Sequence, residues 1–264
     1  MVTFALRSAS AIPIEVEGLL PLRLVGLTLD AIRALPVVRG NRTVTAGELF
    51  DVTTSEADDG TVRFTGSTAS LKRIGERMTA GTIVVAGDAG MHAGAYLAGG
   101  TLKIRGNAGD WLGAEMAGGA IVVAGDAGDG AGAGYRGCRR GMTGGTIAIH
   151  GNAGAELGAH LRRGTIVVHG DAGDYCGVNL IAGTIAVRGG VGRHAGVGMK
   201  RGTLLLGRPP EPHPGLVRAC TGRPAYLRYL ERDLAWPAAA EYQLWRGDRT
   251  AGGQGELWCP TDPG

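Results

Sequence analysis

The chain has 264 residues, 49 of them glycine, with 19% charged and 5% aromatic residues and a formal net charge of +3. Collagen is excluded, because 11 prolines and no three-residue glycine period cannot build its triple helix. The 44% hydrophobic share suffices for a sizeable core and the small net charge cannot hold the chain open, so disorder is excluded, while no apolar run approaches the ~18 to 20 residues that cross a bilayer.

In chain order, the opening MVTFALRSASAIPIEVEGLLPL lacks a basic segment followed by a continuous apolar stretch and a cleavage site, so no secretory signal is read and a cytoplasmic address is expected. VTFALR reads as an edge strand, and TLDAIRALP as a short helix starting after Thr28, with Asp30 favourable to its first turn. Residues 1–59 are assigned as an N-terminal cap.

From Gly60 the sequence repeats. GTIVVAGDAGMHAGAYLAG from Gly81 is followed by GTLKIRGNAGDWLGAEMAG from Gly100 and by a third unit at Gly119, with further starts at Gly145, Gly164, Gly183 and Gly202. The spacing is 19 residues, except for 26 between Gly119 and Gly145, a seven-residue insertion. Ile83, Leu102, Ile121, Ile147, Ile166, Ile185 and Leu204 form one apolar column, and Val85, Ile104, Val123, Ile149, Val168, Val187 and Leu206 a second, one residue removed. Such period-two alternation predicts a short strand with one buried face, too short to be stable unless copies stack. A third column, Met78, Leu97, Met116, Met142, Leu161, Leu180 and Met199, belongs to another side of each coil.

Between these sides a G-(D/N)-A-G element aligns Asp88, Asn107, Asp126, Asn152 and Asp171, where glycine allows a turn. The aligned side chains are expected to bond from copy to copy, with repulsion between neighbouring carboxylates. The fold class is all-β: a right-handed parallel β-helix of about seven 19-residue rungs over residues 60–207, roughly 34 Å long. Its open ends require caps. Residues 208–264 are assigned as a C-terminal extension, in which RPPEPHPG is a break and Ala225 to Trp236 a helix packed on the repeats or on a partner.

Chemical motifs are sparse. No G-x-x-x-x-G-K-(S/T) string occurs, and GVGRHAGVG from Gly190 to Gly198 lies within a repeat, so its glycines read as turns and not as a phosphate cradle. His150 and His169 are 19 apart and stack on neighbouring copies, but two imidazoles make an incomplete zinc site and an outward strand position explains them. Cys138, Cys176, Cys220 and Cys259 form no C-x-x-C pair and read as free buried thiols. Neither a nucleophile nor a carboxylate pair carries a recognisable signature. Positive charge is not gathered into blocks with interleaved aromatics, which argues against nucleic acid. The insertion is the exception: its rung, AGYRGCRRGMTGG from Ala133 to Gly145, sets Tyr135, Arg136, Arg139 and Arg140 on a projecting loop, and clustered guanidiniums suit carboxylates, phosphates or a contact between subunits.

These repeats resemble the G-x-x-G-x-x-x-G β-helix shared by the C-terminal domain of glutamate synthase large subunits and the C subunit of formylmethanofuran dehydrogenase. PVVRGNRTVTAGELFDV, GDAGMHAG, GNAGDWLGAEM, YRGCRRGMTGG and WRGDRTAGGQGELW look like the dehydrogenase's C subunit and extend the resemblance over most of the chain. The resemblance implies one of two settings. In archaea, the C subunit accompanies a metal-dependent hydrolase subunit and a tungsten or molybdenum subunit. In methylotrophic bacteria, a related formyltransferase/hydrolase complex passes formyl from formyl-tetrahydromethanopterin to a methanofuran analogue and hydrolyses it to formate. Richness in Ala, Gly and Arg favours the bacterial complex. The implied role is a noncatalytic scaffold with no cofactor of its own. The methanofuran analogue and zinc would be held by amidohydrolase-like, formyltransferase and molybdoenzyme-like partner subunits, and Arg136, Arg139 and Arg140 would meet an anionic cofactor tail or a partner. A glutamate-synthase-like structural β-helix is the second reading, and an independent hydrolase the last.

Overall fold

Alternating apolar residues form strands wherever a neighbouring copy supplies backbone partners. The computed structural model describes residues 1–55, 60–233, 236 and 239–261. The chain opens with β1 (Val2–Leu6), β2 (Ile14–Glu15), the short helices α1 (Pro21–Leu24) and α2 (Leu29–Arg33), β3 (Pro36–Arg39) and β4 (Arg42–Thr45). Next come α3 (Ala46–Leu49), β5 (Phe50–Thr54), β6 (Thr61–Thr65) and β7 (Leu71–Lys72). Seven four-residue strands follow: β8 (Thr82–Val85), β9 (Thr101–Ile104), β10 (Ala120–Val123), β11 (Thr146–Ile149), β12 (Thr165–Val168), β13 (Thr184–Val187) and β14 (Thr203–Leu206). The C-terminal part adds β15 (Val217–Gly222), α4 (Ala225–Asp233), β16 (Tyr242–Gly247) and β17 (Gly255–Pro260). The protein is all-β with a few short helices.

A 13-stranded sheet runs in the order β15-β16-β17-β14-β13-β12-β11-β10-β9-β8-β6-β1-β5, and a smaller sheet in the order β4-β3-β2-β7. From β1 through β6 and β8–β14 to β17, every neighbouring pair in the large sheet is parallel. The register places Ile83, Leu102, Ile121, Ile147, Ile166, Ile185 and Leu204 opposite one another, as the apolar column requires. Both strand columns and the Met/Leu column are buried. A second parallel ladder joins Ala89, Ala108, Ala127, Ala153, Ala172 and Val191 through single bridges, so each unit meets the next on two sides. Ile147 is fully buried with neighbours above and below. Ile147→Ala is therefore expected to cost about 3 kcal/mol, read as a lowered urea midpoint at unchanged slope.

The Asp and Asn side chains of the turn bond from copy to copy, and their partners are backbone N–H groups. Each Oδ1 of Asp88, Asn107, Asp126, Asn152 and Asp171 accepts the backbone N–H of the residue one unit on, at 2.6 to 2.9 Å. Acid and amide alternate strictly along the column, so no two of its carboxylates are direct neighbours. A second ladder, three residues further on, uses Asp110, Asp129 and Asp174 in the same way.

The flanks differ from expectation in detail. VTFALR is not an edge, since β1 lies between β6 and β5 and its Phe4 packs with Phe50 and Phe64. The helix after Thr28 is α2, and the Thr28 hydroxyl accepts the Ala31 N–H. The predicted 225–236 helix is α4, which ends at Asp233; residues 234 and 235 lie outside the described residues, as do 56–59 and 262–264 at the ends of the assigned segments. Three unanticipated strands, β15–β17, continue the large sheet beyond Gly207, with Leu257 opposite Leu204. The outer face of the last copies is covered: Ala186 and Leu205 are buried with Leu227, Trp236, Tyr242, Leu244 and Trp258. Cys176 and Cys259 are buried as expected, whereas Cys138 and Cys220 are exposed, because one lies on the insertion and the other on an outer strand. Among the described residues, no helix is long and apolar enough to cross a membrane.

Candidate functional site

The corner that follows each Ala ladder carries unusual backbone. In one column Arg73, His92, Trp111, Glu156, Tyr175 and His194 all have φ between 58 and 64°. In a second column Arg77, Tyr96, Glu115, His160 and Asn179 have φ between 52 and 60°. Left-handed backbone costs a side-chain-bearing residue about 1 to 2 kcal/mol, and it persists here because the next unit holds it. The N–H groups of His92, Trp111 and Tyr175 bond to the carbonyls of Asp110, Asp129 and Arg193, and those of Tyr96 and His160 to Ala114 and Val178, all at 2.8 to 3.0 Å. Rings and charged groups are thereby aligned on one corner of the stack.

The insertion folds onto this corner. Tyr135 puts its ring 5.1 Å from Trp111, 5.6 Å from His92 and 5.7 Å from Tyr96, and its hydroxyl lies 2.9 Å from His92 Nδ1. The Tyr135 N–H donates to Glu115 Oε1 at 3.3 Å, and Arg77 stacks over the Tyr96 ring at 4.7 Å. Tyr135 is thus an anchor and not part of a freely projecting loop. Arg136, Arg139 and Arg140 beyond it are exposed. A cleft of about 240 Å³ opens beside the anchor, bordered by Trp111, Tyr135, Arg136, His160, Tyr175 and Asn179.

The electrostatics suit recognition more than bond-making. Burial pushes the Tyr135 hydroxyl up to about 12, which makes it a poor proton donor or acceptor near neutrality. Hydrogen bonding to Glu115 raises the Cys138 thiol, which lowers its thiolate fraction. Burial lowers His92, helped by Arg73 and Lys72, and burial likewise lowers His160, helped by Arg139. A lowered imidazole is destabilising once protonated: stability is complete above the unfolded value of about 6.5 and declines as pH falls from there toward the folded value. The melting temperature is accordingly expected to drop as pH is lowered from about 7.5 to about 5.5. His92→Asn, a residue that accepts left-handed backbone, should shrink that drop, and an unchanged drop would remove His92 from the account.

The remaining sequence candidates sit elsewhere. His150 and His169 do stack, edge to face with ring centres 4.5 Å apart. Among the described residues no three His, Cys, Asp or Glu side chains converge as a metal-ligand set. Gly190 and Arg193 of the GVGRHAGVG string give their N–H groups to Asp171 and Asp174, which makes the segment part of the turn ladders. The ring column was not singled out from sequence, although His92, Trp111, Tyr175 and His194 recur in the 19-residue register and carry the signal.

No family model matches the chain. Over 87 residues it is 39% identical to the C subunit of the tungsten-containing formylmethanofuran dehydrogenase 2 of Methanococcus maripaludis, covering 33% of this chain and 32% of that protein. Over 88 residues it is 39% identical to the C subunit of the molybdenum-containing formylmethanofuran dehydrogenase 1 of Methanothermobacter wolfeii, covering 33% and 22%. The match thus spans about a third, or less, of the length of these curated relatives. A chain in the crystal structure of the formyltransferase/hydrolase complex from Methylorubrum extorquens, in complex with methylofuran, superposes with a TM-score of 0.91 at 34% identity, covering 98% of this chain and 100% of that one. The chain belongs to the family of formylmethanofuran dehydrogenase C subunits. The likeness is not confined to the repeats, since it covers 98% of this chain.

Proposed function

We propose that this chain is a noncatalytic scaffold subunit of a cytoplasmic formyltransferase/hydrolase complex. Such a complex passes formyl from formyl-tetrahydromethanopterin to a methanofuran analogue and hydrolyses it to formate. The observation that carries this reading is the full-length likeness to a chain of the Methylorubrum extorquens complex. The shorter likeness to tungsten and molybdenum dehydrogenase subunits favours the alternative setting, the C subunit of a formylmethanofuran dehydrogenase. The stacked units are read as a right-handed parallel β-helix of about seven 19-residue rungs over residues 60–207, with 1–59 and 208–264 as caps. Support comes from the in-register parallel strands, the alanine ladder and the strong right-handed preference of parallel crossovers.

Within that complex the chain braces an amidohydrolase-like subunit, a formyltransferase subunit and a molybdoenzyme-like subunit, which hold the methanofuran analogue and zinc. Among the described residues of this chain no group of three His, Cys, Asp or Glu side chains suits zinc. Arg136, Arg139 and Arg140 are exposed beside the Tyr135 anchor, a placement suited to a partner or an anionic cofactor tail.

Gentle isolation of the tagged chain from its native cell, with mass spectrometry and elemental analysis, tests the reading. Co-isolation with an amidohydrolase-like and a formyltransferase subunit, with zinc but neither tungsten nor molybdenum, is expected. Tungsten or molybdenum with iron–sulfur partners selects the dehydrogenase, and recovery of the chain alone overturns both. Arg139→Glu with Arg140→Glu is expected to cut partner recovery or affinity for the methanofuran analogue at least tenfold, without moving the melting temperature.

A further inference from the structure

A second cationic feature lies on the turn that follows the Met/Leu column. Arg162 and Arg163 follow Leu161, Ile181 and Ala182 follow Leu180, and Lys200 and Arg201 follow Met199. Backbone bonds hold these turns in register: Ile181 N–H donates to Leu161 O and Lys200 N–H to Leu180 O. Each basic pair is therefore two units from the other, about 10 Å at the usual strand spacing, with an apolar step between. These six residues, rimmed by Gln254, line an open trough of about 670 Å³ with no carboxylate in its walls.

Three features define what fits. All four basic side chains are exposed, and Arg162, Arg163 and Arg201 form no ion pair among the described residues. The Lys200 ammonium donates to the Ala251 carbonyl, which fixes that rim against the loop leading into β17. The two basic pairs flank a floor, Ile181 and Ala182, that is half-buried and apolar. An extended peptide places alternate side chains on one face about 7 Å apart. Two of its carboxylates reach the opposite rims while intervening methylenes cover the floor, and planar guanidiniums favour such bidentate contacts.

We infer that this trough docks an extended, acidic segment of a partner polypeptide, through Arg162 and Arg163 on one rim and Lys200 and Arg201 on the other. The inference rests on the reading of the chain as one member of a multisubunit complex. It is separate from the insertion loop, since none of Arg136, Arg139 and Arg140 lines the trough.

The full-length chain is titrated with a labelled peptide of alternating Glu and Ala, about eight residues long so that it spans both rims, followed by fluorescence anisotropy at low and at near-physiological salt. Saturable binding is expected, weakened at least tenfold at the higher salt and at least twentyfold by Arg163→Glu with Arg201→Glu. The exposed Arg63→Glu on β6 serves as control and should bind like the unmodified chain, while the matching Gln/Ala peptide should not bind. Equal binding by the double variant and the control overturns the inference, as does absence of binding. Displacement of the peptide by inorganic phosphate at equal charge concentration also overturns it, because the site then holds simple anions. Partner recovery is measured separately on the same variants. If the double variant retains all partners, the trough fails while the reading as a member of the complex stands. If the unmodified chain recovers no partner, that reading fails whatever the peptide result.

Discussion

Gly119→Val is expected to destroy the folded chain, costing about 5 kcal/mol or more. Gly119 has a φ of +81°, and a Cβ there would lie 2.7 Å from the Gly100 carbonyl oxygen and 2.9 Å from the Gly99 carbonyl carbon. Both atoms are backbone and cannot swing aside. Separating the units enough to admit the side chain would stretch the β9–β10 pairing, including the Gly100 carbonyl that receives the Ala120 N–H at 2.9 Å. In a stack where each unit contacts only its neighbours, a break in the middle removes an interface that no other contact replaces. Gly137→Val separates the two contributions, since Gly137 also has a positive φ, +88°, but nothing lies within 4 Å of its Cβ direction. That variant should lose only the backbone preference, about 1 to 2 kcal/mol. Urea unfolding followed by circular dichroism compares them, and equal midpoints would falsify the steric account.

The repeat was legible because each copy states the same local preference. Ile147 and Ile149 are β-branched residues one position apart, and their counterparts recur at a fixed interval, so register follows from the column alone. The C-terminal strands lack that redundancy. β17 pairs with β14 across some fifty intervening residues, and nothing local in GELWCP states that Leu257 continues the column of Leu204. The outward column gives no clue either: Val84, Val122, Ala148 and Val167 are as apolar as Ala186 and Leu205 but only half-buried, so the sequence of the copies does not mark which of them are covered. The cover over Ala186 and Leu205 comes from Leu227 of α4 with Trp236, Tyr242 and Trp258.

The corner of rings and charges was hidden for a different physical reason. Tyr, Trp and Glu do not ordinarily adopt a left-handed backbone, so local preference gives no hint that Trp111 and Tyr175 share one conformation with His92. Tertiary hydrogen bonds from the next unit override that preference. The turn ladders were half legible: the Asp/Asn column and its bonding from copy to copy stand out in the sequence, but which backbone N–H each oxygen accepts depends on how closely the next unit approaches.

Removing residues 135–141 is expected to leave a folded protein that no longer assembles. The deletion restores the interval of 19 residues, because Gly134 and Met142 occupy the positions of Glu115 and Met116 in the unit before. Met142 N–H already bonds to Gly132 O, and Gly134 N–H to Ala159 O, both at 3.1 Å, so the joined chain keeps neighbours on either side. What is lost is the Tyr135 ring against His92, Tyr96 and Trp111, about 0.5 to 1.5 kcal/mol for each aromatic pair, together with three exposed guanidiniums. The melting temperature should fall by about 5 to 15 °C, with the chain still folded. Partner recovery should fall more than tenfold, further than with the two charge reversals, because anchor and cations leave together. Tyr135→Phe keeps the ring and removes only the hydroxyl contact to His92; it should assemble normally if ring packing positions the loop. Normal assembly of the deletion variant would assign the partner surface to another face of the stack.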